Sequence, residues 1–267
     1  MKHHITEILW MRCLSMDSQF CEAVVCCGYL TQEQMLHAAC HYRLGASRQG
    51  GVIFWQIDQE GRVHDGKVMY YLPDCHRNKA HKPTWVSYLL RRRDPFPNAA
   101  HETSHCFFGL HLVSEKRATL GTDPSEQPKV ADICATLGTD PSEQPKVADI
   151  CVSPQSCTVA VVEAEKTAVI LSELYPQYIW LASGGLGEVQ PDKFRALRGC
   201  KVILFPDTDP DGIAYSRWSN AAEEVMRSVF WEGSPPIRVS RILEDHATEE
   251  QKRRKIDLVD FITESSA

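Results

Sequence analysis

The chain has 267 residues, 43% of them hydrophobic and 24% charged, and carries a net charge of −6. That length admits one large domain or two modest ones, and the acidic balance argues against a protein that coats nucleic acid non-specifically. No apolar run approaches the roughly 20 residues needed to cross a bilayer. No apolar leader follows the start at Lys2, His3 and His4, so a cytoplasmic protein without membrane contact is expected.

Eleven cysteines are scattered with no C-x-x-C spacing among them, which supports neither a zinc ribbon nor a redox motif. The Cys/His clusters "CHRNKAH" (75–81) and "HETSHC" (101–106) fit no standard zinc pattern.

Residues 1–30 show little period and form an uncommitted N-terminal segment. Residues 31–117 read as a small α+β region. A helix is expected over 31–44, with Thr31 and Gln34 spaced as a capping box and Gly45 as its stop. The β-rich runs 51–58 and 62–71, separated by "QEG", predict a hairpin. A short helix over 84–93 and a strand over 106–113 complete this part.

The stretch "ATLGTDPSEQPKVADIC" occupies 118–134 and recurs unchanged at 135–151. Repeats that stack into solenoids come as several diverged copies. Two identical copies rich in Pro, Gly, Ser, Thr and Asp read instead as a recent duplication forming a linker or exposed loop.

Residues 152–267 change rhythm. Strands are expected at 158–162, 178–183, 201–205 and 237–243. Helices are expected at 163–175, 191–198, 213–230 and 256–263. Strands alternating with helices predict an α/β fold, with a mostly parallel sheet covered on both faces.

In such sheets ligands gather outside the carboxyl ends of the strands. Glu163 follows the first strand of this part, Asp207 the third, and Asp209 comes two residues later. Three carboxylates at one rim repel unless protonated or neutralised by cations, and oxygen-only ligands at an open site favour Mg²⁺ with phosphate chemistry. On that reading Asp209→Asn removes one like charge and raises the melting temperature of the metal-free protein.

Other readings of "DTDPDG" (207–212) explain less. An EF-hand loop needs a glutamate at its twelfth position, where Trp218 stands. An aspartyl phosphatase leaves Glu163 unexplained. Capping of the following helix accounts for Asp211 but not for all three aspartates. Gly184 and Gly185 in "GGLG" lack the Lys-Ser/Thr of a P-loop and suit a tight turn near the rim. Lys166 can reach a phosphate or pair with a surface carboxylate. The basic runs Arg91–Arg93 and Lys252–Lys255 offer local phosphate contacts or solvated helix ends.

A glutamate after one strand and D-x-D-x-x-G after a later one resembles the Toprim domain of bacterial-type primases, topoisomerases and some nucleases. Asp207, Asp209 and Gly212 fill the second motif. "VVEAEKTA" (161–168) looks like the "EGEKDA" type of primase-like Toprims in phages and other bacterial mobile elements. The upstream run 50–71 also resembles a region preceding Toprim in such proteins. The resemblance departs at Ala164, where a glycine is usual, and at Thr167, where an aspartate often stands.

The resemblance implies a Toprim-like parallel sheet and a Mg²⁺-dependent nucleotidyl transfer, with Mn²⁺ as substitute, most simply a primase-like, replication-associated activity. It assigns Glu163, Asp207 and Asp209 to catalysis and metal binding, and Lys166, Gly184, Gly185 and Gly212 to nucleotide binding. Its partners would be single-stranded DNA or primer-template, nucleoside triphosphates, and a replication partner protein supplying the cysteine-rich zinc module that usually precedes primase cores. A Toprim nuclease and a non-catalytic module that binds nucleic acid or a partner are the alternatives.

Overall fold

Among the described residues, two four-stranded sheets organise the fold. The computed structural model describes residues 10–92, 105–121 and 157–265.

The N-terminal part begins with α1 (Gln19–Cys26), capped where the Ser18 hydroxyl accepts the Cys21 N–H. Helix α2 (Gln32–His41) carries the expected capping box. Thr31 Oγ1 accepts from the Gln34 N–H at 3.2 Å, and Gln34 Oε1 accepts from the Thr31 N–H at 2.9 Å. Strands β1 (Gly45–Ala46), β2 (Val52–Ile57), β3 (Val63–Met69) and β4 (Thr84–Trp85) follow in that order, every pair antiparallel. The predicted hairpin is β2–β3. Asp58 closes its turn, with Oδ1 accepting from the N–H groups of Glu60 and Arg62.

All six residues of β2 are buried. Because side chains alternate along a strand, Val52 and Phe54 enter one core while Ile53, Trp55 and Ile57 join Trp10, Val63 and Val86 in another. A short helix, α3 (Val86–Arg91), ends this sheet.

The strand expected over 106–113 does not form. Only Phe108 pairs, antiparallel to Ala182, before helix α4 (His111–Gly121) begins. Gly109 makes the turn between them at φ +81, and a Cβ there would lie 2.9 Å from the Tyr42 ring. A short apolar run buried on every side has no period to separate strand from helix. Ala118–Gly121, the first residues of the duplication, continue α4. The rest of both copies lies outside the described residues.

The C-terminal part is a parallel sheet of β5 (Thr158–Val162), β6 (Ile179–Ala182), β7 (Lys201–Phe205) and β8 (Arg238–Val239), in the order β6-β5-β7-β8. Helices α5 (Glu165–Leu174), α6 (Ile213–Arg227), α7 (Ile242–His246), α8 (Glu249–Arg254) and α9 (Leu258–Ser265) accompany it. The expected fourth strand is only two residues long and gives way to α7. The helix expected over 191–198 is a 3₁₀ segment at Pro191–Leu197. Central strand β5 sends Ala160 and Val162 to one face and Val159 and Val161 to the other, each into a packed core.

The first of those cores is shared. Phe20, Tyr42 and Phe54 from the N-terminal part pack with Ala160, Val162 and Ile170, and the Tyr42 hydroxyl donates to the Trp180 carbonyl at 2.8 Å. The antiparallel sheet is thereby fixed against the parallel one.

A candidate carboxylate site at the sheet rim

Strands β5 and β7 run parallel and in register up to Val162 and Phe205. The loops that follow therefore leave the same sheet edge side by side, Glu163 on one and Asp207 on the other. Burial pushes the Glu163 carboxyl above its ordinary range, and nearby Glu165 and Asp257 add to the rise. Asp207 is raised well above the carboxylate range by burial and by the negative charges of Glu163 and Asp257. Among the described residues no hydrogen bond or ion pair reaches the Asp207 carboxylate. Two acids at one rim thus disfavour each other's ionisation.

Asp209 stands differently. Its Oδ1 accepts from the N–H groups of Asp211 at 3.0 Å and Ile213 at 3.1 Å, and its Oδ2 from Ala214 at 2.8 Å. Burial works against its charge, but these three donors outweigh it and hold the carboxyl below its usual range. Asp209 therefore caps α6 where the sequence suggests Asp211. Gly212, at φ +62, supplies the left-handed turn into that helix. Among the described residues no three His, Cys, Asp or Glu side chains converge as a metal-holding group. Glu163 and Asp207 are brought together, and Asp209 is turned into the helix end.

A third loop closes the rim. After β6 the chain makes the Gly184–Gly185 turn, with Gly184 at φ +93. The Gly184 N–H donates to the Glu163 carbonyl at 3.0 Å, and the Leu186 N–H faces the Glu163 carboxylate and favours its charged form.

Helix α5 starts beside Glu163 with Ala164 as an N-cap that offers no side-chain bond. Lys166 is nearly buried and pairs with Asp257 at 3.3 Å and Asp260 at 3.6 Å. Burial disfavours its charge, but those two acids hold the ammonium above its ordinary range. Thr167 is fully buried and donates to Asp257 Oδ2.

Sequence reasoning missed Asp257, Asp260, Glu165 and Lys67. The spacing in "DLVD" (257–260) carries a signal, since the Asp257 Oδ1 accepts the Asp260 N–H as a helix cap. Lys67 carries none, because only the packing of the two sheets brings it to the rim.

The basic runs are partly spent locally. Lys252 pairs with Glu249, Arg254 with Glu264, and Arg253 Nε donates to the Glu249 carbonyl. Lys255 exerts its charge on Asp209. Arg92 lies over the Tyr88 ring, and Arg93 falls outside the described residues. Of the Cys/His clusters, His81 stacks on Tyr70 and His105 on Trp85, while 101–104 lie outside the described residues.

Fold and rim together define a mixed α/β protein with a carboxylate pair at the carboxyl edge of its parallel sheet. Residues 18–138 and 150–208 match a family described as a domain of unknown function, DUF6371, and the chain belongs to that family. The solved primase fragment of the bacteriophage T7 primase-helicase protein is similar at 15% identity and a TM-score of 0.38, over 82% of this chain and 69% of that one. No curated protein matches. Among the described residues no helix is long and apolar enough to cross a membrane.

Proposed function

We propose that the chain is a Toprim-type protein that performs Mg²⁺-dependent nucleotidyl transfer on nucleic acid, primase-like and associated with replication in a bacterial mobile element. The observation that carries this reading is the pairing of Glu163 with Asp207 on adjacent parallel strand ends. Burial raises both acids; the charges of Glu165 and Asp257 add to the rise of Glu163, and those of Glu163 and Asp257 to the rise of Asp207. A pair of hard oxygen donors that suffers from its own repulsion fits Mg²⁺, which binds through one or two carboxylates and keeps its remaining positions for water and phosphate. Glu163 and Asp207 would hold the ion, and Mn²⁺ would substitute. Bound there, it supplies counter-charge to a reacting phosphate and lowers the pKa of an attacking hydroxyl.

The chain's own groups do the rest. The Leu186 N–H orients the Glu163 carboxylate. Glu163 would either complete the metal shell or, left unligated, serve as general acid and base. Asp209 fixes the loop that carries Asp207 by tying it to the start of α6. The Gly184–Gly185 turn carries no side chains, so a nucleotide would meet its backbone there, and single-stranded DNA or a primer-template would be the partner.

A second reading, a non-catalytic module that binds nucleic acid or a replication partner, is favoured by one observation. The Asp209 carboxylate is engaged by three backbone donors. Incubation with labelled nucleoside triphosphates and single-stranded DNA, with Mg²⁺ and with Mn²⁺, separates the readings. Extension products that vanish in Glu163→Gln and Asp207→Asn support the first. Shortened DNA in the same lanes identifies a nuclease, and retained DNA without either product identifies the binding module.

A further inference from the structure

Lys67 lies on β3, far in sequence from the rim, yet its ammonium meets Glu165 Oε1 at 3.0 Å, Glu165 Oε2 at 3.1 Å and the Gly184 carbonyl at 2.8 Å. Both charged side chains are almost withdrawn from solvent, at 12% exposure for Lys67 and 2% for Glu165. An ammonium has three protons, and these contacts account for them, so Lys67 has no donor left for a ligand.

Its grip falls on two loops at once. Glu165 opens α5 two residues after Glu163, and Gly184 begins the turn whose N–H groups reach the Glu163 carbonyl and carboxylate. The fit is close: a Cβ at Gly184 would lie 3.4 Å from Glu165 Oε1 and 4.0 Å from Lys67 Nζ. A second lysine holds the other side. Lys193 Nζ reaches the Ser183 carbonyl at 3.4 Å and pairs with Glu188 at 3.0 Å.

We propose that Lys67 is a positioning residue: from the antiparallel sheet it locks the 183–186 turn onto Glu163, so the rim is a composite of both halves. This deepens the functional reading above and rests on it for its catalytic consequence, while the locking itself is independent of any reaction. A buried charge left without its partner would destabilise the whole protein. The test therefore uses Lys67→Met/Glu165→Gln, which removes both charges in the full-length chain, beside the single Lys67→Met.

Hydrogen exchange of the 184–186 amides, thermal melting, and kcat and KM for nucleotide incorporation are measured together. In the double variant these amides should exchange about tenfold faster or more while core amides and the melting temperature stay near wild type. With that, kcat should fall about tenfold or more with KM for the nucleotide unchanged, the mark of lost positioning rather than lost binding. Unchanged turn exchange overturns the proposal and leaves a plain ion pair between sheets. Faster exchange spread evenly over the core, with a lowered melt, overturns it as well. If wild type incorporates no nucleotide, the functional reading fails, and the exchange result alone decides whether Lys67 locks the turn.

Discussion

The Thr167 hydroxyl donates to Asp257 Oδ2 at 2.7 Å, joining positions ninety residues apart in the chain. In this fold a carboxylate from the start of α9 comes against the buried Thr167 on α5. Asp257 also takes Lys166 and caps α9, so the hydroxyl is one of several bonds to a nearly buried acid. Thr167→Val should therefore cost about 1–3 kcal/mol, the range for a buried acceptor deprived of one donor. Urea denaturation of the two proteins measures it, and equal stability would show that the bond contributes nothing net.

Asp209 and Asp207 should respond in opposite directions. The sequence alone predicts that Asp209→Asn melts higher without metal, because it removes one of three like charges. The three N–H donors reverse that sign: Asp209→Ala should lose about 0.5–2 kcal/mol of capping, and Asp209→Asn a smaller part. Because the folded pKa of Asp209 is depressed, its contribution is complete above the unfolded value and disappears as pH falls through the folded one.

Asp207 is raised, so its cost grows as pH climbs from the unfolded value towards the folded one. Asp207→Asn should melt above wild type at neutral pH in EDTA and match it near pH 3. Melts of both variants across pH decide whether the aspartates divide this way.

Two histidines should set the acid side of stability. His111 Nε2 donates to the His41 carbonyl at 3.1 Å, which leaves Nδ1 buried without a partner among the described residues. Burial, joined by the charge of Arg43, brings its pKa down to about 3, and burial brings His41 to about 4. Both are neutral in the fold and protonate readily once unfolded. Stability is then complete above about pH 6.5 and falls towards those lower values, by up to about 1.4 kcal/mol per pH unit for each group. His111→Gln keeps a donor for the His41 carbonyl and cannot take up a proton, so it should flatten the slope between pH 5 and 6.5. An unaltered slope would place the acid sensitivity elsewhere.

Much of the α/β half was legible because its signals are local. Strand runs such as "TVAVV" and "KVILF" and the D-x-D-x-x-G loop declare themselves within a few residues, and so do Thr31 and Gln34. Residues 106–113 were misread because an apolar run covered on all sides has no period. The composite rim was illegible for another reason. Lys67 sits in a strand whose local pattern explains only its hairpin, and its partners lie 98 and 117 positions away. The three N–H bonds to Asp209 were illegible because sequence gives a carboxylate's position but not its direction.

Deleting residues 135–151 should leave folding and any activity nearly intact. The copies are identical, and the family match passes over 139–149, inside the second copy. Loop-closure entropy changes by only about 0.6 kcal/mol per doubling of length. A deletion variant that aggregates or melts many degrees lower would mean that the second copy packs on the core.

The central claim is that Glu163 and Asp207 form a cation site, and calorimetric titration of Mn²⁺ into the full-length protein and its Asp207→Asn variant tests it most directly. Wild type should bind one ion or more with a heat that Asp207→Asn loses or weakens by at least about tenfold, roughly 1.4 kcal/mol. Asp209→Asn should fall between them, since it disturbs the loop rather than the pair. Identical titrations of wild type and Asp207→Asn would contradict the claim and leave the two acids as a strained but empty feature of the rim.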